Sequence, residues 1–327
     1  MELAKKVLSE NGWHGFIIPK PFLYASNWQI LREHFLDHII SIIDCGRPWK
    51  EVKLEQIIYI FSSNLQKDFY NNGTRKGGIL KHEIKIKKEH YKLFGSLLTG
   101  INSEEIDLGI HLASFERLDE NFVTNRRGIN KKGISTKHIG QRTLNGKHIQ
   151  RFYISGEEGF MEKKYIKTNN AYVKKYSILA QNIVAHVGKQ PLDHLKITAT
   201  IPLDQDFIIL EKVNQLTLTN KKISPYFILG LLNSKLINWY VYRFIVSKAI
   251  RTIGFDRPIT SKIPVPMSAK EQSDIEKNVK ILLQKCNSFV EKETDITNIK
   301  LKINDDIYAA FKLNKNQIEL IESVTPE

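Results

Sequence analysis

Asn121–Gly156 reads NFVTNRRGINKKGISTKHIGQRTLNGKHIQRFYISG, and it sets the character of the whole chain. It holds eight Lys/Arg (Arg126, Arg127, Lys131, Lys132, Lys137, Arg142, Lys147 and Arg151) and no Asp or Glu. Gly128, Gly133, Gly140 and Gly146 interrupt it often enough that no run suits an ordinary helix, so turns and exposed loops are expected. A segment without acids of its own cannot form internal ion-pair ladders, and its positive field should face solvent. The fitting partner is a polyanion, of which nucleic-acid phosphate is the commonest. The competing reading is a basic loop that only keeps the protein dissolved.

Working outward, the 327 residues suffice for two domains, and 42% hydrophobic with 10% aromatic residues marks a folded chain. The net charge of +14 again favours an anionic partner. Cys45 and Cys286 stand far apart with no CxxC pair, which predicts neither a metal cluster nor a disulfide framework and fits a reducing cytoplasm. No signal peptide is expected after Met1-Glu2. The most apolar run, 226–246, carries Asn233, Lys235, Asn238 and Arg243 and is too polar to span a bilayer.

Residues 1–62 read as a small α/β piece. Leu3, Val7 and Leu8 predict a short helix closed by Asn11-Gly12. Trp13–Ile18 is a strand stopped by Pro19 and Pro21. Ser26 or Asn27 is expected to cap a helix with Ile30, Leu31 and Phe35 on one face. Ile39–Ile43 and Ile57–Phe61 are two more strands, separated by a turn around Gly46–Pro48. Three strands cannot close a doubly wound sheet, so one edge should be open to another chain. Between 63 and 120 the signals are weaker: His82–Lys87 alternates like an exposed edge strand, and the segment reads as the tail of the first domain and a linker.

Specific runs then carry a resemblance. GFIIPKPFLYASNWQILREHFL (15–36) and IIDCGRPWKEVKLEQIIYIF (42–61) resemble the later motifs of TaqI-like and Eco57I-like adenine-specific DNA methyltransferases. RRGINKKGI (126–134), RTLNGKHIQRFYI (142–154), SILAQNIVAHV (177–187), YFILGLLNSKLINWYVYRF (226–244) and IKLKINDDIYAAFKLNKNQIELIES (299–323) resemble, in order, the specificity domain that follows in that family. Within this part Ser224 caps a helix with Pro225 in its first turn, and FDRPITSKIPVP (255–266) gives a short strand. Ser268-x-x-Glu271 is a capping box for a helix with Ile275, Val279, Leu282, Cys286 and Phe289 along one seam. The family's earlier motifs, a glycine loop for S-adenosylmethionine and an Asn-Pro-Pro-Tyr-type loop for the target adenine, are not in this sequence.

The resemblance implies an α/β fragment, an incomplete methyltransferase-type sheet, over 1–114, followed by an α+β DNA-specificity domain over 115–327 with a helical segment at 268–327. It implies target recognition on double-stranded DNA within an adenine-N6 methyltransferase or a type II restriction-modification enzyme. S-adenosylmethionine would then bind a second protein that carries the front half, and this chain alone would be inactive. A non-enzymatic specificity subunit that recruits a separate methyltransferase or endonuclease is the alternative, and a structured-RNA binder a third. Trp49 matches the aromatic position that the family packs on the flipped adenine; the bland reading is that it packs a strand turn.

Arg126, Arg127, Lys131, Lys132, Lys137, Arg142 and Lys147 are the DNA-contact candidates, arginine being suited to guanine O6/N7 and lysine to phosphate. Lys248, Arg251, Arg257 and Lys262 around Gly254 form either the opposite wall of a cleft or a solvated rim. Arg151 and Arg243 are as well suited to anchoring their own elements. His34 and His38 lack a third metal ligand, Asp68 with Glu83 and Lys85 is too loose a pattern for a nuclease, and Ser155 and Ser177 have no His/Asp partners. The seam from Ile275 is too short for a coiled coil and should pack on its own domain.

Overall fold

A computed structural model describes residues 1–184, 195–250, 253–267, 269–288 and 293–325. They divide into two units, one of 1–114 with 240–251 and one of 115–239 with 252–327. One division falls between 114 and 115, and 240–251 lies with the first unit.

In the first unit, α1 (Glu2–Val7) sets Met1, Ala4 and Leu8 against Phe35, Tyr59 and Phe61. Leu3 and Val7, the residues that suggested this helix, are exposed instead. Strand β1 (Trp13–Pro19) leads through a 3-10 turn at Lys20–Leu23 towards α2 (Gln29–Phe35). Ser26 and Asn27 lie in a second 3-10 turn and do not cap α2, which buries Phe35 but exposes Ile30. The strands β2 (Ile39–Gly46), β3 (Gln56–Ser62), β4 (Phe69–Lys76) and β5 (Ile79–Lys87) complete a five-stranded sheet in the order β1-β3-β2-β4-β5. Only β2 and β4 run parallel.

β2 is the central strand, and its unbroken Ile-Ile-Ser-Ile-Ile run is buried throughout. β3 alternates, with Ile57, Tyr59 and Phe61 inward. Residues 67–88, expected as tail and linker, supply two full strands, and the predicted edge strand is β5. Helices α3 (Glu89–Phe94) and α4 (Ser103–Ala113) follow. In α4, Glu105 serves both the Asn102 capping box and a 2.5 Å ion pair with buried Arg243. That pair is the anchoring role expected of Arg243.

The second unit is built from short strands: β6 (Glu116–Arg117), β7 (Val123–Arg127), β8 (Ile134–Ser135), β9 (Gln141–Leu144), β10 (Ile149–Gln150), β11 (Tyr153–Ile154), β12 (Gly159–Met161), β13 (Ile178–Gln181), β14 (Ala199–Thr200), β15 (Phe207–Ile209) and β16 (Val213–Leu218). They form four-stranded sheets β15-β9-β12-β8 and β14-β13-β16-β7, plus the β10-β11 hairpin. Leu144, Ile149, Leu179, Phe207, Ile209 and Val213, drawn from both sheets and the hairpin, share one core.

Helix α5 (Pro225–Asn233) begins as predicted, with the Ser224 side chain accepting from the Tyr226 amide and Pro225 in the first turn. α6 (Lys235–Tyr240) runs on into a π-helical turn at Val241–Ile245. α7 (Arg257–Thr260) and β17 (Pro264–Val265) follow, β17 pairing with β6. α8 (Ala269–Asn287), α9 (Glu293–Ala310) and α10 (Lys315–Glu322) close the chain. α8 buries Ile275, Val279 and Leu282 and packs on α5 and α9, so its seam is used within its own unit. Ser268, Phe289, Arg251 and the 185–187 end of the predicted SILAQNIVAHV pair lie outside the described residues. No helix among the described residues is long and apolar enough to cross a membrane.

Candidate nucleic-acid interface

The basic stretch forms no α-helix: it folds into the short strands β7 to β11 with turns and loops between them. β7 is an edge strand paired only with β16, register Arg126↔Gln215 and Arg127↔Asn214. The strand runs from buried Val123 to exposed Arg127, and between them Asn125 faces inward into a buried amide network. Its Nδ2 donates to Phe255 O at 2.8 Å, and its Oδ1 accepts from Asn214 Nδ2 at 2.9 Å. Asn182 Nδ2 donates in turn to Asn214 Oδ1 at 2.8 Å and to Asp256 Oδ1 at 3.2 Å. Buried amides satisfied in this way hold one geometry, and they fix the strand on which Arg126 and Arg127 stand exposed. Arg127 Nε donates to Glu211 O, 2.6 Å away.

Beyond β7 the glycines do two different jobs. Gly128 crosses the β15 end of the neighbouring sheet so closely that a Cβ would stand 2.4 Å from the carbonyl oxygens of Ile209 and Leu210. Gly140 sits at φ +105° and would press a Cβ to 2.3 Å from Met161 O. From it hangs the exposed β8–β9 loop, Thr136–Gly140, which presents Lys137, His138 and Ile139. His138 leans on Phe160 with ring centroids 4.6 Å apart, while Ile139 is 62% exposed.

Expected outward field is only partly realised, because acids from outside the stretch compensate some of its cations. Glu158 pairs with Lys131 and, at 3.0 Å, with Lys147. The Lys131 hydrogen bond is the largest influence on the Glu158 carboxyl; with Lys147 it outweighs burial and holds the carboxyl down to about 2. Arg142 pairs with Asp204 and lies 4.1 Å over the Phe207 ring, with Glu157 at 4.0 Å. It is committed to structure in this state. Arg151 Nε donates to Ile197 O at 3.0 Å, the anchoring role anticipated for it. Among the described residues no ion pair engages Arg126, Lys132 or Lys137, and these three define the open cationic surface.

Glu157-Glu158 lie immediately past the basic stretch, and nothing within the stretch itself points to them. Asp204 lies 62 residues from Arg142, and no local pattern points to it.

In the first unit, Trp49 is 52% exposed on the β2–β3 connection. Both ends of that connection are held by one buried cation. Lys20 Nζ lies 2.6 Å from Asp44 Oδ2 and 3.4 Å from Glu55 Oε1, and it also donates to Lys248 O at 3.0 Å. Asp44 Oδ1 accepts from the Gly46 amide, and Glu55 Oε2 from that of Ile250, each at 2.9 Å. Burial alone lowers the affinity of Lys20 for its proton, but the two carboxylates outweigh it and the net direction is upward. Lys20 stands between two prolines and carried no functional signal in the sequence.

The second predicted cluster divides between the units: Lys248, whose Nζ donates to Gly100 O at 2.9 Å, is in the first, and Arg257, paired with Glu120, and Lys262 are in the second. His34 bonds Glu2 at 3.1 Å, and His38 bonds Ser62 O at 3.2 Å. No group of three or more His, Cys, Asp or Glu among the described residues is placed to hold a metal. Ser177 is buried and bonds Lys174 O and Gln215 Oε1, both at 2.7 Å.

Residues 141–265 match the model of the TaqI-like C-terminal specificity domain. No curated protein matches the sequence. The fold is similar to the type IIL restriction-modification enzyme MmeI, solved in complex with DNA, at 10% identity and a TM-score of 0.57 over 99% of this chain and 50% of that one. The type IIG restriction endonuclease BpuSI is matched at 12% identity and a TM-score of 0.33, over 94% of this chain and 48% of that one. The ATP-dependent type ISP enzyme LlaBIII, bound to DNA, is matched at 10% and 0.44, over 86% and 26%. The chain thus spans about half the length of MmeI.

Proposed function

We propose that this chain reads DNA sequence within a restriction-modification system, and that the base it serves is an adenine methylated at N6. The observation that carries the reading is the specificity-domain match over 141–265, directly adjoined by the exposed Thr136–Gly140 loop and the open cations Arg126, Lys132 and Lys137. A lysine-flanked loop tipped by an isoleucine has the chemistry to meet phosphate with its cations and a thymine methyl with its apolar tip. Arg126, on a strand fixed from behind, is the group suited to bidentate reading of guanine. MmeI, whose fold this chain shares, was solved in complex with DNA, which supports duplex DNA as the polymer.

The methyl donor in this reading is S-adenosylmethionine, which supplies the transferable methyl group. The connection after β1 runs through Pro19 into a 3-10 turn without glycine, so it offers no glycine loop at that point. No residue here is assigned to hold it. Trp49 is assigned to the target base, as an exposed indole on a loop clamped by Lys20, Asp44 and Glu55. Stacking of one base on such a face contributes about 1–3 kcal/mol.

Selection of bound duplexes from a random pool, with wild type and a Thr136–Gly140 loop replaced by Gly/Ser, tests the proposal. Wild type should enrich one defined motif and the loop variant should lose it while still binding. Equal enrichment by both, or no motif with either, contradicts the reading. Incubated with S-adenosylmethionine and DNA, residues 1–327 alone should transfer no methyl group.

A further inference from the structure

The second unit contains a cavity of about 130 Å³ between the β10–β11 turn, the α5–α6 junction and α9. Arg151, Lys196, Lys235 and Lys300 all line it, and none of its described lining residues is an Asp or Glu. Lys235 is neutralised by Glu322 at 2.5 Å. Arg151 spends its Nε on Ile197 O and meets no carboxylate among the described residues, and the same holds for Lys196 and Lys300. Among the described residues, three cations therefore line one hollow without a counter-charge.

Lys196 registers both of its cationic neighbours. Burial lowers Arg151 to about 10, and burial followed by the charges of Arg151 and Lys300 lowers Lys196. The neutral groups at the same site are already engaged: Asn233 with the Ala199 backbone, and Asn304 Oδ1 with the Lys235 amide at 2.9 Å. The turn that carries Arg151 is itself held in place, since Phe152, at φ 71°, donates to Ala199 O and accepts from Asn287 Nδ2 at 3.1 Å. A hydrated phosphate group fits the space, a single water needing only about 10–15 Å³ of it. Phosphate also matches the donors, a guanidinium fork and two ammonium groups around one oxyanion.

We propose that Arg151, Lys196 and Lys300 form a phosphate-binding site. Its occupant is either a backbone phosphate of nucleic acid or the phosphate of a free compound. The first arm rests on the DNA-reading function; the second is independent of it.

The test titrates the full chain with inorganic phosphate, reading heat and thermal midpoint, and separately with duplex DNA, using wild type and Lys196→Gln/Lys300→Gln. Inorganic phosphate should raise the wild-type midpoint and bind the double variant roughly tenfold or more weakly. In phosphate-free buffer the variant should be at least as stable as wild type, because it removes repulsion rather than packing; a folding defect is thereby separated from a binding one. If the variant also loses DNA affinity and its salt slope falls by about 1–2, the source is the DNA backbone; unchanged DNA binding makes it a free phosphate compound. Wild type and variant alike in both titrations would overturn the site. Arg126→Gln/Lys132→Gln/Lys137→Gln serves as the control: loss of DNA binding there, with phosphate binding kept, shows that the two surfaces stand or fall separately.

Discussion

Lys20 shows how much one side chain decides. It is buried with Asp44 and Glu55, and the three charges fix the loop that carries Trp49. Lys20→Met should cost about 3–5 kcal/mol, as two carboxylates are left without their cation; urea unfolding checks it. Replacing all three residues by neutral isosteres should recover much of the loss. Glu158 gives a pH signature with the opposite partner. Its carboxyl titrates near 2 when folded, below its ordinary value near 4.5, so the stability it adds is fully present above 4.5 and is lost as pH falls towards 2. Denaturation curves of wild type and Glu158→Gln should therefore differ at neutral pH and converge at the acid end; a constant offset would contradict the pairing. Gly128→Ala is expected to destabilise the second unit, since its Cβ has nowhere to go but into two carbonyl oxygens. None of these three roles was legible. A buried lysine, an acid just past a basic run and a close backbone crossing are all set by contacts distant in the chain.

Elements whose signals were local and redundant were the legible ones. α5 has a serine cap, a proline in its first turn and an apolar body, and all three agree. Ser224→Ala should cost about 1 kcal/mol, read from the thermal midpoint. α1 and α2 were found but misphased: both are too short to average out a stray apolar residue, so Leu3, Val7 and Ile30 counted towards faces that they do not occupy. β4 was undervalued because the centre of Phe69–Lys76 is Asn71-Asn72-Gly73, residues depleted in strands. Pairing with β2 on one side and β5 on the other supplies what propensity lacks. At the site, the eight cations were visible in the sequence, but the distinction between open Arg126, Lys132 and Lys137 and paired Lys131, Arg142 and Lys147 was not. That distinction depends on Glu158 and Asp204, which arrive from other strands and loops. It also predicts that Glu158→Gln, which releases Lys131 and Lys147, strengthens DNA binding at low salt.

For the whole molecule, the formal charge of +14 is a long-range attraction to any polyanion, and it says nothing of sequence preference. What separates a reader from a generally sticky protein is where the uncompensated charge sits. Here it lies beside the segment matching a specificity domain, with Arg126 on a strand held by the Asn125, Asn182 and Asn214 network and Lys132 and Lys137 in the loops that follow. The most direct measurement is duplex affinity against salt, by fluorescence anisotropy, for wild type and Arg126→Gln/Lys132→Gln/Lys137→Gln. Wild-type affinity should fall steeply as salt rises, and the triple variant should bind more weakly with a log–log slope shallower by about 2, close to 0.9 for each of the two lysine–phosphate contacts removed. Superimposable lines for the two proteins would show that this surface does not meet DNA.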